Sequence, residues 1–314
     1  MTDNTFVFEP APWVPFRDKE VLERCRNIKR EDMEKHENPD FKIKIVFSTE
    51  GLMVADMVYR IKQSDELDIP CVMIIPNPSP AVYQQVAQTI NVFRINCRNV
   101  HIFPMDEWAD DMGNIAPLTY KAGFGYSFMK YLVGGIDEDL RMPLSQVHCP
   151  TNENKDSYTD MIIEAGGGGA DICYSGPGWA GHLAFIDPNA PEFAADSLEE
   201  FCDLGARVVT LHPLTVAQNS LHGCFGQSGD IANVPPKAFS IGPKDVKLAK
   251  NRMEMHSLTT GGTFSSWQRL MSRLVLYGPV TPLVPSSILQ QWPTQVYVSE
   301  AIAAPIEVME TVGY

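Results

Sequence analysis

Two kinds of patterning alternate along the chain from residue 42. The run KIKIVFS (42–48) and the continuous apolar run CVMIIP (71–76) read as strands, and residues 49–61 between them carry apolar positions at helical spacing, with Thr49 placed as a cap. Strand, helix, strand is the mark of a βαβ unit. The pattern recurs with residues 80–90 helical, VHIFPMDE (100–107) a strand ending in acids, residues 120–133 helical, SQVHC (145–149) a strand and residues 156–165 helical. ADICYSGPG (170–178) is a buried strand running into a glycine-rich turn, and RVVTL (207–211), AFSIG (238–242) and QVYVS (295–299) add short strands. Such alternation predicts an α/β fold: a modified doubly wound, Rossmann-like, mostly parallel sheet with helices on both faces. The four glycines 166–169 precede a strand, so they are expected to end a helix and turn into the sheet, where glycine tolerates a left-handed backbone.

Residues 1–40 differ in texture. Pro10, Pro12, Pro15 and Pro39 surround one polar helix predicted over residues 18–35 with Asp18 as its N-cap. This segment reads as an N-terminal extension on a domain of residues 41–314. No internal repeat is visible.

Charge and cysteine usage narrow the partners. The 39 acidic against 25 basic residues give a formal charge of -14, and the basic residues do not cluster, so nucleic acid and anionic membrane surfaces are not expected partners. Seven scattered cysteines without a C-x-x-C pair fit neither a disulfide framework nor a zinc site. With no basic and apolar leader and no run of about 18 apolar residues, a cytoplasmic location is expected. No H-E-x-x-H, Walker A or G-x-S-x-G motif occurs, so no metal and no cofactor are implied.

Ligands in open parallel sheets bind beyond the carboxyl ends of the strands, and three strand ends carry chemistry. Asn77 and Ser79 lie in the turn after the second strand, where hydroxyls and helix-terminal amides can hold a substrate. Asp106 and Glu107 close an apolar strand, where period-two geometry points them to opposite sides, so only one faces a pocket; there it could act as a general base. Gly176, Gly178 and Gly181 allow close backbone approach around Trp179 and deliver His182 for proton transfer, with Asp187 five residues on to orient the ring.

The ordered set PNPSPAVY, FPMDEW, YSFM, SGPGWAGHLAFIDP, TLHPLTVAQNS and NVPPKAFSIGP resembles the glucosamine-6-phosphate deaminase/isomerase family, in the 6-phosphogluconolactonase superfamily, from about residue 42 to the C-terminus. The resemblance implies that a sugar lies over the strand ends, that Asp106 moves a proton at C2, and that His182 assists ring opening. It also implies departures. Asp187 is a shorter replacement for the family's His-supporting Glu, and Ala180 stands where the family has a second catalytic Asp. In the phosphate pocket, Asn77, Pro78 and Ser79 replace the threonine and glycines, Leu221 replaces an Arg, and Gln268 falls near a Lys, leaving Arg269 or Arg273 to compensate. Each lost charge-assisted hydrogen bond forfeits about 1.5 to 3 kcal/mol. The expectation is an isomerase or deaminase-like enzyme acting on a sugar or amino sugar, possibly a homo-oligomer. The alternatives are a non-catalytic sugar-binding sensor of the same fold and a glucosamine-6-phosphate deaminase with a rearranged phosphate site.

Overall fold

The computed structural model describes residues 7–77, 79–259 and 266–307; Pro78 and residues 1–6 of the sequence reading lie outside them. The strands are β1 (Phe41–Val46), β2 (Cys71–Ile75), β3 (Val100–Pro104), β4 (Asp106–Ala109), β5 (Ile172–Ser175), β6 (Arg207–Thr210), β7 (Lys237–Ser240), β8 (Arg252–His256) and β9 (Thr294–Ser299). The helices are α1 (Lys19–Arg26), α2 (Glu50–Leu67), α3 (Pro80–Phe93), α4 (Phe124–Ser127), α5 (Tyr158–Gly166), α6 (Leu198–Cys202), α7 (Pro213–Asn219), α8 (Pro243–Leu248), α9 (Gln268–Tyr277) and α10 (Glu300–Ala303).

A six-stranded sheet in the order β1-β9-β8-β5-β2-β3 is parallel at every pairing, and β4, β7 and β6 form a second, antiparallel sheet. β2 and β5 are buried at every residue, as strands covered on both faces must be. The two sheets join at Met105. Its N–H donates to Ile75 O in the parallel sheet (2.9 Å), and its carbonyl accepts from Ile241 N beyond β7 (2.8 Å). The run expected as one strand over 100–107 is therefore two, and Asp106 is the first residue after the switch.

Other boundaries move for identifiable reasons. The helix expected over 18–35 ends at Arg26 because the chain must turn to bury Met33; Asp18 caps it as expected, accepting from Glu20 N and Val21 N. SQVHC is not a strand: a single bridge, Val147 to Ile102, ties it to the sheet edge. The helix expected from residue 120 begins at Phe124 and passes into a π turn over Phe128–Leu132. The glycine run behaves as expected, with Gly167 closing α5 in the left-handed region at φ 61°.

The N-terminal segment is tied to the C-terminal part of the sheet by Arg273. This fully buried guanidinium sends its five N–H groups to the carbonyls of Ile28, Arg269, Ile302, Ala303 and Ala304. Truncating it orphans several buried carbonyls at about 1–3 kcal/mol each. Arg273→Leu should lower unfolding free energy by about 3 kcal/mol or more, whereas Arg30→Ala, which removes a half-exposed pair with Glu300, should cost no more than about 1 kcal/mol. Urea unfolding of both variants checks this, and equal effects would contradict it.

Candidate functional site

The two adjacent acids at the start of β4 have divided environments. Glu107 is 2% exposed and accepts three backbone amides: Trp108 N (2.8 Å), Phe124 N (3.1 Å) and Gly125 N (2.6 Å). It thereby hangs residues 121–125 on β4, helped by the Trp108 indole donating to Ala122 O at 3.0 Å. Asp106 is 7% exposed, and among the described residues no hydrogen bond reaches its carboxylate. Burial, and then repulsion by Glu107, push its carboxyl well above the ordinary carboxylate range. Opposite-facing neighbours thus become a structural anchor and an unpaired titratable group.

His182 sits in the turn after β5. Gly178 N donates to His182 O (3.1 Å), Gly181 N donates to Gly178 O (3.0 Å), and Gly181 takes φ 79°. Ser286 Oγ also donates to His182 O, at 2.8 Å. The ring passes so close to Gly178 that a β-carbon there would lie 1.8 Å from Nε2. Nδ1 contacts Asp187 Oδ1 and Thr215 Oγ1, both at 2.9 Å. Thr215 donates its own hydrogen to Asp187 Oδ1 (2.6 Å), so both neighbours of Nδ1 are acceptors. Nδ1 therefore carries a ring hydrogen, and in the neutral imidazole the lone pair lies on Nε2. Asp187 is fixed in turn, its Oδ2 accepting from His212 N at 2.7 Å.

A cavity of about 770 Å³ opens beyond these strand ends. Its walls include Asn77 and Ser79 after β2, the Lys121–Phe124 segment held by Glu107, Gln218, His222 and Trp267. Neither Asp106 nor His182 is itself among the lining residues; Asp106 adjoins Glu107, which holds the Phe124 wall. Burial, and then Asp106, raise the Tyr83 phenol, whose hydroxyl donates to Pro76 O at the start of the Asn77 turn. His222 is lowered by burial and then by His182. Trp179 N donates to Gln218 Oε1 at 2.7 Å, and its indole stacks on Trp267 at 6.0 Å between centroids.

Gln268, expected to touch substrate, is a buried strut. Its amide NH2 donates to Pro177 O (2.6 Å) and its Oε1 accepts from Leu258 N (2.8 Å), joining the glycine turn to the exit of β8. Gly176 packs on the Met255 carbonyl, leaving no room for a side chain. Of the two arginines considered as phosphate ligands, Arg273 is spent on carbonyls, and Arg269 Nε donates to Ala301 O at 3.0 Å, away from this cavity. Thr215, Gln218, His222 and Lys121 were not singled out by sequence, although the first three lie in or next to TLHPLTVAQNS. Among the described residues no group of three or more His, Cys, Asp or Glu side chains could hold a metal ion, and no helix is long and apolar enough to cross a membrane.

No protein-family profile matches the chain. It is 29% identical over 231 residues to a glucosamine-6-phosphate deaminase of Rhodopirellula baltica, covering 71% of this chain and 78% of that protein. Over 266 residues it is 26% identical to glucosamine-6-phosphate deaminase 2 of Giardia intestinalis, covering 83% and 89%. A solved monomeric glucosamine-6-phosphate deaminase superposes with TM-score 0.64 at 17% identity, covering 84% of this chain and 99% of that one. The 6-phosphogluconolactonase from Leishmania guyanensis gives 0.60 at 12% identity, covering 85% and 99%. The chain is thus similar in sequence to the glucosamine-6-phosphate deaminase family and shares the fold of the solved deaminase and lactonase. Against that family's pattern, Ala180 is 1% exposed, and the imidazole is supported by Asp187 and Thr215.

The tautomer assignment is testable. Long-range 1H–15N spectra should show His182 protonated at Nδ1 in the native chain, with that signature lost in Asp187→Asn. Gly178→Ala should displace the ring and cost about 1–3 kcal/mol through overpacking; an unchanged His182 signal in both variants would contradict the geometry.

Proposed function

We propose that the chain is a sugar-converting enzyme in which Asp106 removes and returns a carbon-bound proton and His182 moves protons on the ring and chain oxygens of an aldose, ketose or amino sugar. The observations that carry this reading are an unbonded, buried carboxylate next to the residue that anchors one cavity wall and an imidazole held through its Nδ1. A base with its pKa raised towards the working pH is a better proton acceptor, and a fixed imidazole can take a hydroxyl proton as the ring opens. Asp187 and Thr215 act through His182 as positioning residues.

The chemistry runs in balance. Nε2 accepts the C1 hydroxyl proton while the ring C–O bond breaks, the ring oxygen is protonated, and the open-chain carbonyl forms. Asp106 then takes the proton at C2, giving an enediolate. Returning that proton to C1 while His182 relays the C2 hydroxyl proton to O1 leaves the ketose. With a 2-amino substrate the same sequence yields an imine at C2, and water then releases ammonia.

Substrate charge follows from the walls. Lys121 and Glu50 are the cation and the anion among the named walls, and the rest are neutral. His222, beside Leu221, is lowered by burial and so favours its uncharged form. A neutral sugar or amino sugar fits this balance. Lys121 supports a second reading, a 6-phosphate ester held by that one ammonium, as in a glucosamine-6-phosphate deaminase with a rearranged phosphate site.

Assays of aldose–ketose interconversion and ammonia release, on neutral and 6-phosphorylated hexoses and hexosamines, separate these readings. Asp106→Asn should lower turnover by about 10²–10⁴-fold. Because the carboxyl must be ionised to act, activity should rise with pH along a limb above the usual carboxylate value of about 4. Stability should respond in the opposite sense: a raised folded pKa favours the protonated fold, so stability from Asp106 is full at low pH and lost as pH rises through that pKa. Asp106→Asn should therefore gain stability at neutral pH while losing activity. Binding without turnover across the panel would favour the sensor reading, and full turnover by Asp106→Asn would contradict the mechanism.

A further inference from the structure

A second cavity, of about 470 Å³, opens beyond the carboxyl ends of β1, β9 and β8. It shares two walls, Glu50 and Thr259, with the first, so the two are neighbours across one partition. Nothing in the proton-transfer chemistry uses it.

Its chemistry is that of a polyol site. Phe47 presents a ring 95% exposed at the end of β1, a surface on which the apolar face of a pyranose can be buried. Thr49 Oγ1 donates to Ser257 Oγ at 2.8 Å, which leaves the Ser257 hydroxyl hydrogen to donate elsewhere. The Ser299 hydroxyl, on a residue 7% exposed, has no hydrogen-bond partner among the described residues, a buried polar group left unsatisfied in a cavity wall. Arg269 is anchored through Nε to Ala301 O at 3.0 Å. Glu300 is held by Arg30, whose Nε donates to Oε2 at 2.8 Å and whose second N–H pairs with Oε1, so the N-terminal segment helps build this wall.

Charge selects among ligands. The walls carry the carboxylates Glu50 and Glu300 against the guanidinium of Arg269, with Glu300 answered by Arg30 from behind. Carboxylates in the wall disfavour an anion, whereas the hydroxyls of a sugar can donate to them.

Sheet order sets the direction. Asp106 leaves the sheet after β3 and His182 follows β5, so the reacting end of a substrate lies over the β5-β2-β3 half. The second cavity lies over β1, β9 and β8. A molecule spanning both has its reactive carbons in the first cavity and its distal end in the second.

We propose that the second cavity is a subsite for a neutral sugar ring joined to the distal end of the reacting sugar, so that the substrate is a disaccharide or longer saccharide with a free reducing end. This rests on the sugar-converting reading above.

Binding tests it independently of turnover. By titration calorimetry on the full chain, cellobiose, maltose and the 1→4 dimer of glucosamine are compared with glucose and glucosamine, with glucose 6-phosphate as the anionic probe. At least one disaccharide should bind tenfold or more tightly than its monosaccharide, and Phe47→Ala, at an exposed position, should bring that ratio close to one. Overturning results are a ratio near one in the native chain, a ratio preserved in Phe47→Ala, no binding by any disaccharide, or glucose 6-phosphate binding more tightly than the disaccharides. Turnover of monosaccharides with a ratio of one removes the subsite alone; tight disaccharide binding with no turnover of any bound sugar removes the enzymatic reading alone.

Discussion

The site depends on how the chain holds one imidazole. A histidine can take a proton at a chosen atom only when its other nitrogen is occupied, and here Asp187 and Thr215 occupy it together while Thr215 gives its own hydrogen to the same carboxylate oxygen. Much of the surrounding architecture serves that arrangement. Gly178 gives the ring room, Ser286 holds its carbonyl, and Gln268 clasps the turn to the exit of β8. Beneath the turn, Ser175 donates to the fully buried Glu254, whose carboxyl is pushed up to about 8 by burial, so a mostly neutral acid lies under the site at pH 7.

The second constraint is the switch between sheets at Met105. It places two acids at the point where one strand leaves the parallel sheet and another begins, and the pleat sends them apart. Glu107 becomes the anchor for a cavity wall and Asp106 is left without a hydrogen-bonding partner among the described residues. An unpaired buried carboxylate costs stability, so its retention in a well-packed core fits a chemical role.

Much of this was legible in the sequence because long apolar runs such as CVMIIP and the glycine-rich turn after ICYS have few alternatives. The divergence of Asp106 and Glu107 followed from strand period alone. β8 was missed because RMEMH carries Arg252, Glu254 and His256 in a buried strand, and polar residues held in place by tertiary contacts do not register as core. Thr215 was missed for a similar reason: it lies one turn into α7, and only the fold brings it to His182, 33 positions earlier. In sequence Gln268 reads as a ligand because it aligns near a charged family residue, whereas an amide is better suited to bridging a carbonyl and an N–H. The second cavity had no sequence signature, since its walls come from four separate stretches of chain.

The claim at the centre is that Asp106 exchanges a proton with substrate carbon. Incubating the native chain and Asp106→Asn with neutral hexoses and hexosamines in D2O, and reading deuterium at C2 by NMR, tests it directly. The account predicts deuterium at C2 with the native chain and none above the uncatalysed background with the variant. Equal incorporation by both, or none by the native chain on a sugar that it binds, would contradict it.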